Sequence, residues 1–189
     1  MIPIIISRIF EPLIGFILLF AVAALRSGVF GWDLIFMMSI FFLTMIVPPA
    51  ALLFWAVKTK RITNWDISDR SQRVWALLVF GVFLFCDYFL MQYVGTPLMQ
   101  QIFLFLLIIF FGFFIITLRF KISGHIMTAT LVLLFLMSWY GWITAPFFLI
   151  IPLLGWSRIV LKRHAMGEIV GGVIYPLIVY SIAHFLQLV

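Results

Sequence analysis

Cysteine is nearly absent: the 189-residue chain has one, Cys86, inside an apolar run. A single thiol excludes an internal disulfide framework and a cysteine-based zinc site, and reads as packing filler. Charge is scarce too. Only 10% of residues are Asp, Glu, Lys or Arg, against 66% hydrophobic, whereas ordinary globular composition is about a quarter charged and about half apolar. A soluble domain is thereby excluded, and the chain belongs in a bilayer. Acids are the scarcer charge, six against twelve Lys and Arg, for a net charge of +6. In a membrane protein such an excess reflects loop topology and lipid headgroups, so no nucleic-acid partner is expected.

What the sequence has in abundance is long apolar runs. About 20 apolar residues in helical conformation cross a hydrocarbon core of about 30 Å. Runs at about 9–26, 32–57, 74–94, 97–118, 126–139, 142–156 and 166–187 predict six or seven transmembrane spans. The fold class expected is an all-α polytopic membrane helix bundle with its active-site loops converging on one membrane face. Met1 to Ile6 reads as the frayed start of an anchor, and no removable signal peptide is read before the first span. Gly95-Thr96-Pro97 is a hairpin turn between spans. The pair at 126–156, interrupted by Pro146 and Pro152, forms either two crossings or a re-entrant hairpin. No internal repeat or long linker appears, so residues 1–189 read as one integral-membrane domain.

Counting crossings puts the N-terminus and the loops at 58–73, 119–125 and 157–164 on one face. Eleven of the twelve basic residues fall there and only Arg26 falls opposite. The positive-inside rule makes that face cytoplasmic, and the expected location is the plasma membrane.

Three loops on the basic face carry most of the polar residues. In the first, Arg70 and Arg73 share a helical face at i,i+3, while Asp66 and Asp69 each precede an arginine by four. This is either a capped helix with surface ion pairs or two forked guanidiniums suited to a phosphate. The second reads Lys121-Ile-Ser123-Gly124-His125, a helix start that offers backbone N–H groups and a hydroxyl to an anion, or simply a polar cap at the interface. The third runs from Ser157-Arg158 through His164 to Glu168, followed by Gly171-Gly172. On a helix, Glu168 would accept the His164 imidazole N–H and leave the other nitrogen to act as nucleophile or base. The alternative is a helix-start acid beside a snorkelling basic collar.

The order of these groups resembles the type-2 phosphatidic acid phosphatase family, the membrane branch of a superfamily that includes vanadium haloperoxidases. Its pattern is Lys-x6-Arg-Pro, then Pro-Ser-Gly-His, then Ser-Arg-x5-His-x3-Asp. Here Ser123-Gly124-His125 matches the second motif with Ile122 in place of proline. Ser157-Arg158 and His164 match the third, with Glu168 in place of Asp. In the first motif Arg73 matches the arginine, but Val74 replaces proline and Asp66 replaces lysine, leaving Arg70 or Lys60 to supply the cation. The resemblance covers about 58–172.

The resemblance implies a lipid phosphatase acting through a phosphohistidine. His164 would attack phosphorus, Glu168 would orient it, and His125 would protonate the leaving alkoxide. Arg73, Ser123, Gly124 and Arg158, with Arg70 and Lys121, would bind the phosphate oxygens. No metal or other cofactor is required. The expected partners are the bilayer and a lipid phosphate such as phosphatidate, phosphatidylglycerophosphate or a polyprenyl pyrophosphate. A non-catalytic lipid-phosphate binder or translocator, or a phosphotransferase using the same residues, remains open, as does the oligomeric state. Asp87 and His184 read as pairings toward the opposite face or as groups serving headgroup passage.

Overall fold

A computed structural model describes residues 1–63, 67 and 69–187, apart from the Arg70 side chain. Among the described residues every regular element is helical. In chain order these are α1 (Ile2–Ile9), α2 (Pro12–Arg26), α3 (Gly31–Phe41), a π-helical stretch (Phe42–Ile46), α4 (Val47–Lys58), α5 (Arg70–Val94), α6 (Pro97–Arg119), α7 (Gly124–Tyr140), a 3-10 stretch (Gly141–Leu149), α8 (Ile150–Val160) and α9 (Met166–Phe185). Among the described residues six stretches are long and apolar enough to cross a membrane. The chain is an all-α polytopic helix bundle and an integral membrane protein. It divides into two compact units, residues 1–19 with 121–189 and residues 20–120.

In the unit formed by 20–120, turn chemistry sets the helix ends. Asp69 caps α5, its carboxylate accepting from the Ser71 and Gln72 amides at 2.8 and 3.3 Å and from the Ser71 hydroxyl at 2.5 Å. This matches the capped-helix alternative at Asp69; the expected pairing of Asp66 with Arg70 lies outside the described residues. Thr96 caps α6, with Pro97 in the first turn, where its missing N–H costs nothing. The expected hairpin at Gly95-Thr96-Pro97 is present. The Thr96 hydroxyl also donates to Ser27 Oγ at 2.8 Å, tying the hairpin to the chain just after α2. In the core Phe20 stacks on Phe41, and Phe103 meets both rings edge-on.

The π-helical stretch has a local cause. Pro48 and Pro49 have no N–H to donate to the turn before them, and the ring clashes there, so the helix widens. The Val47 amide accordingly reaches back to Phe42 O. Thr44 within the stretch hydrogen-bonds the Asp87 carboxyl of α5. Asp87 is only 2% exposed, with Oδ2 unpartnered; it lies, as expected, within the third apolar stretch, Ser71–Val94.

Hydrogen bonds from Ser71, first its hydroxyl and then the backbone amides of Gln72 and Ser71, hold the Asp69 carboxyl below its ordinary value. A lowered folded-state value means that its stabilisation is present above the unfolded value, about 4, and is lost as pH falls through the folded one. Amide exchange at Ser71 and Gln72, corrected for intrinsic rate, is therefore expected to rise on acidification below about pH 4, and Asp69→Asn is expected to remove that dependence.

In the other unit, α1 corrects the expectation of a frayed N-terminus. Ser7 is buried, and Ile6 and Phe10 pack on a cluster of Ile126, Leu154 and Ile169. The expected first span is present within Ile2–Arg26, and the helix is interrupted near its start because Pro12 cannot donate back into α1. The Glu11 carbonyl instead accepts from Ile14 and Gly15 at 3.0 and 3.2 Å and starts α2. The 37-residue stretch Gly124–Val160 turns back at Gly141, whose φ of 68° disfavours any residue with a Cβ. Ile126 at one end of the stretch packs on Leu154 near the other. The first arm is about 25 Å long at the helical rise, and the 3-10 stretch plus α8 about 35 Å. A return of the chain that brings its two ends together is common to both alternatives for 126–156, two crossings and a re-entrant hairpin.

Candidate functional site

The polar side chains of this unit gather where helices begin or end. His125 is the second residue of α7, Arg158 lies two before the end of α8, Glu168 is third in α9, and Glu11 directly precedes α2. Helix ends of this kind meet the membrane surface, where a charged headgroup resides.

His164 and Glu168 pair as expected, Nδ1 to Oε2 at 2.6 Å, but not along a helix. His164 lies before α9, whose N-cap is Ala165, so the contact runs from a turn into the first helical turn. The His164 side chain is 3% exposed. Glu168 Oε2 also lies 3.5 Å from Lys121 Nζ, and that ammonium donates to Arg163 O at 2.9 Å. Lys121 thereby spans two strands of chain, closing the loop before α7 onto the turn before α9. The Ser123 amide adds a backbone bond to Glu168 O at 3.0 Å.

Close approach of α9 makes this join possible. A Cβ at Gly172 would stand 2.9 Å from Ser123 O, and one at Gly171 2.7 Å from Ile122 Cγ2. The two glycines let α9 lie directly on the start of α7. Ser123 is the N-cap of α7, but its side chain makes no cap hydrogen bond. Its Oγ is fully buried and unpartnered, an arrangement that costs about 1–3 kcal/mol unless something supplies a partner. Gly124 follows at the first helical position, where backbone N–H groups have no acceptor within the helix.

Arg158 is 1% exposed. Its Nη1 donates to Ser7 Oγ at 2.7 Å, and its carbonyl accepts from Arg163 and His164 at 3.0 and 3.4 Å, bending the chain toward the histidine. Ser157 Oγ donates to Pro3 O at 3.0 Å. His125 is 9% exposed, with Nε2 3.6 Å from Glu11 Oε2. Ser7 and Glu11 are absent from the sequence-derived site. Glu11, one of six acids, carried a usable signal as an ionisable group between apolar stretches; Ser7 carried none.

Seven expected site residues, Lys121, Ser123, Gly124, His125, Arg158, His164 and Glu168, thus lie in one unit. Arg73 belongs to the other unit, where it is 9% exposed and its Nε donates to Ile67 O at 3.3 Å. Arg70 opens α5; its side chain is outside the described residues. His184, near the end of α9, stacks on Tyr180 at 6.3 Å between centroids. No family model, curated protein or solved structure matches the chain.

Proposed function

We propose that this protein is a metal-independent lipid phosphatase that hydrolyses a phosphomonoester or pyrophosphate through a phosphohistidine. The observation that carries the reading is the 2.6 Å contact between His164 Nδ1 and Glu168. With Nδ1–H donated to the carboxylate, the lone pair of a neutral imidazole resides on Nε2, as nucleophilic attack requires.

His164 Nε2 attacks phosphorus, the N–P bond forms, and the P–O bond to the lipid breaks as the departing oxygen takes a proton from His125. Water then attacks the phosphohistidine. His125, now neutral, accepts the water's proton, the N–P bond breaks, and phosphate leaves. The Ser123 hydroxyl and the N–H groups at the start of α7 suit the phosphoryl oxygens, with Arg158 and Lys121 as nearby cations; Arg73 and Arg70 are assigned to phosphate binding by the motif resemblance. Helix-end placement suits a substrate whose tails stay in the bilayer. The charge bias of the loops favours a cytoplasmic-facing site, and the plasma membrane is the location assigned to it.

The test is phosphate release by purified, detergent-solubilised protein from phosphatidate, phosphatidylglycerophosphate and undecaprenyl pyrophosphate, with chelator present. Release in chelator from at least one lipid is expected. Folded protein that releases nothing but binds these lipids would replace hydrolysis with a binding or translocating role. Transfer of the phosphate to another acceptor would identify a phosphotransferase.

A further inference from the structure

Glu11 and His125 form a second carboxylate–histidine pair, built on the ring nitrogen opposite to the one used by the first. Glu168 meets His164 at Nδ1, whereas Glu11 meets His125 at Nε2, 3.6 Å away. That Nε2 is buried with no hydrogen-bond partner, and Glu11 Oε2 is also 3.6 Å from Arg8 Nη1.

The pairing is fixed by the backbone. Glu11 and Gly15 lie one helical turn apart, and a Cβ at Gly15 would meet Thr128 Cγ2 at 3.0 Å and Val132 Cγ2 at 3.6 Å. His125, Thr128 and Val132 are spaced three and four apart, so they share one face of α7. The glycine therefore sets the approach of α2 to α7, and the same approach carries Glu11 to His125. The carboxylate lies just outside hydrogen-bond length, as catalytic contacts often do before substrate tightens them.

We propose that Glu11 is a positioning residue for proton transfer: it holds Nε2–H of His125, so that Nδ1 is the atom that gives the proton to the leaving oxygen. The inference rests on the phosphatase reading. When the P–O bond breaks, the Nδ1 proton passes to the departing alkoxide, and the neutral ring keeps Nε2–H against Glu11. In the second step Nδ1 takes a proton from the attacking water. Each histidine is thus held by a carboxylate on one nitrogen and works with the other.

The experiment compares two substrates with the same long-chain tail, an alkyl phosphate whose leaving oxygen needs a proton and a nitrophenyl phosphate whose leaving oxygen does not. Glu11→Gln is expected to lower kcat/KM of the alkyl phosphate by about 10- to 100-fold, while kcat/KM of the nitrophenyl phosphate, which likewise reports the P–O cleavage step and not the shared attack of water, changes by less than about threefold. Glu11→Asp is expected to restore most of the loss. Equal loss on both substrates, or none on either, in protein of wild-type thermal stability, would overturn the inference and leave the phosphatase reading standing. Wild-type protein inactive on both substrates would overturn that reading and the inference with it.

Discussion

His164→Ala is expected to reduce phosphate release by about three to six orders of magnitude, the range seen when a covalent nucleophile is removed. It should do so without unfolding the protein. His164 lies in the turn before α9, and truncating it leaves the Lys121 contacts to Glu168 and to Arg163 O in place. Rapid quench of wild-type protein with labelled substrate should trap a phosphoenzyme stable to base and labile to acid, as a phosphoramidate bond is. The variant should trap none. A phosphoenzyme still formed by His164→Ala, or wild-type turnover retained by it, would place the nucleophile elsewhere.

The second large effect is expected at Gly172, through the fold and not the chemistry. Even one added methyl would lie 2.9 Å from the Ser123 carbonyl and 3.1 Å from Ile126 Cβ, and the carbonyl is backbone at the N-cap of a spanning helix. Valine adds two more carbons to a site that has no room for the first. We expect Gly172→Val to lose about 1–3 kcal/mol or more of stability and to displace Ser123 from Glu168. Thermal unfolding in detergent measures the first effect, and the residual activity of the folded fraction measures the second. Gly167→Ala is the control, since nothing lies within 4 Å of a Cβ at that position. A Gly172→Val protein as stable as the control would show that α9 can shift away from α7 at no cost.

Much of this architecture is legible in sequence because the bilayer allows few solutions. A span must be helical and about 20 residues long, so composition alone gives the fold class, and turn residues such as Gly95-Thr96-Pro97 locate the reversals. The stretch 126–156 resists because Pro146 and Pro152 are as compatible with a re-entrant loop as with a pair of crossings. The packing of Ile126 against Leu154 belongs to either arrangement, since both bring the two ends together. The His164 to Glu168 pair is visible from its spacing, although the helix proposed to carry it begins two residues later, at Met166. The contacts of Ser7 with Arg158 and of Glu11 with His125, each more than a hundred residues away, leave no periodic trace. Local patterns encode neighbours along a helix and say nothing about which distant helix will bring a partner.

The bond from Arg158 to Ser7 joins residues 151 positions apart, and that from Ser157 to Pro3 spans 154. Chains grow at about 5–20 residues per second, so α1 is made about 8–30 seconds before α8 can reach it. Ser7 is made that long before Arg158, and Glu11 about 6–23 seconds before His125. The site is therefore a late product of biogenesis, assembled only when the last two helices enter the bilayer and close back on the first.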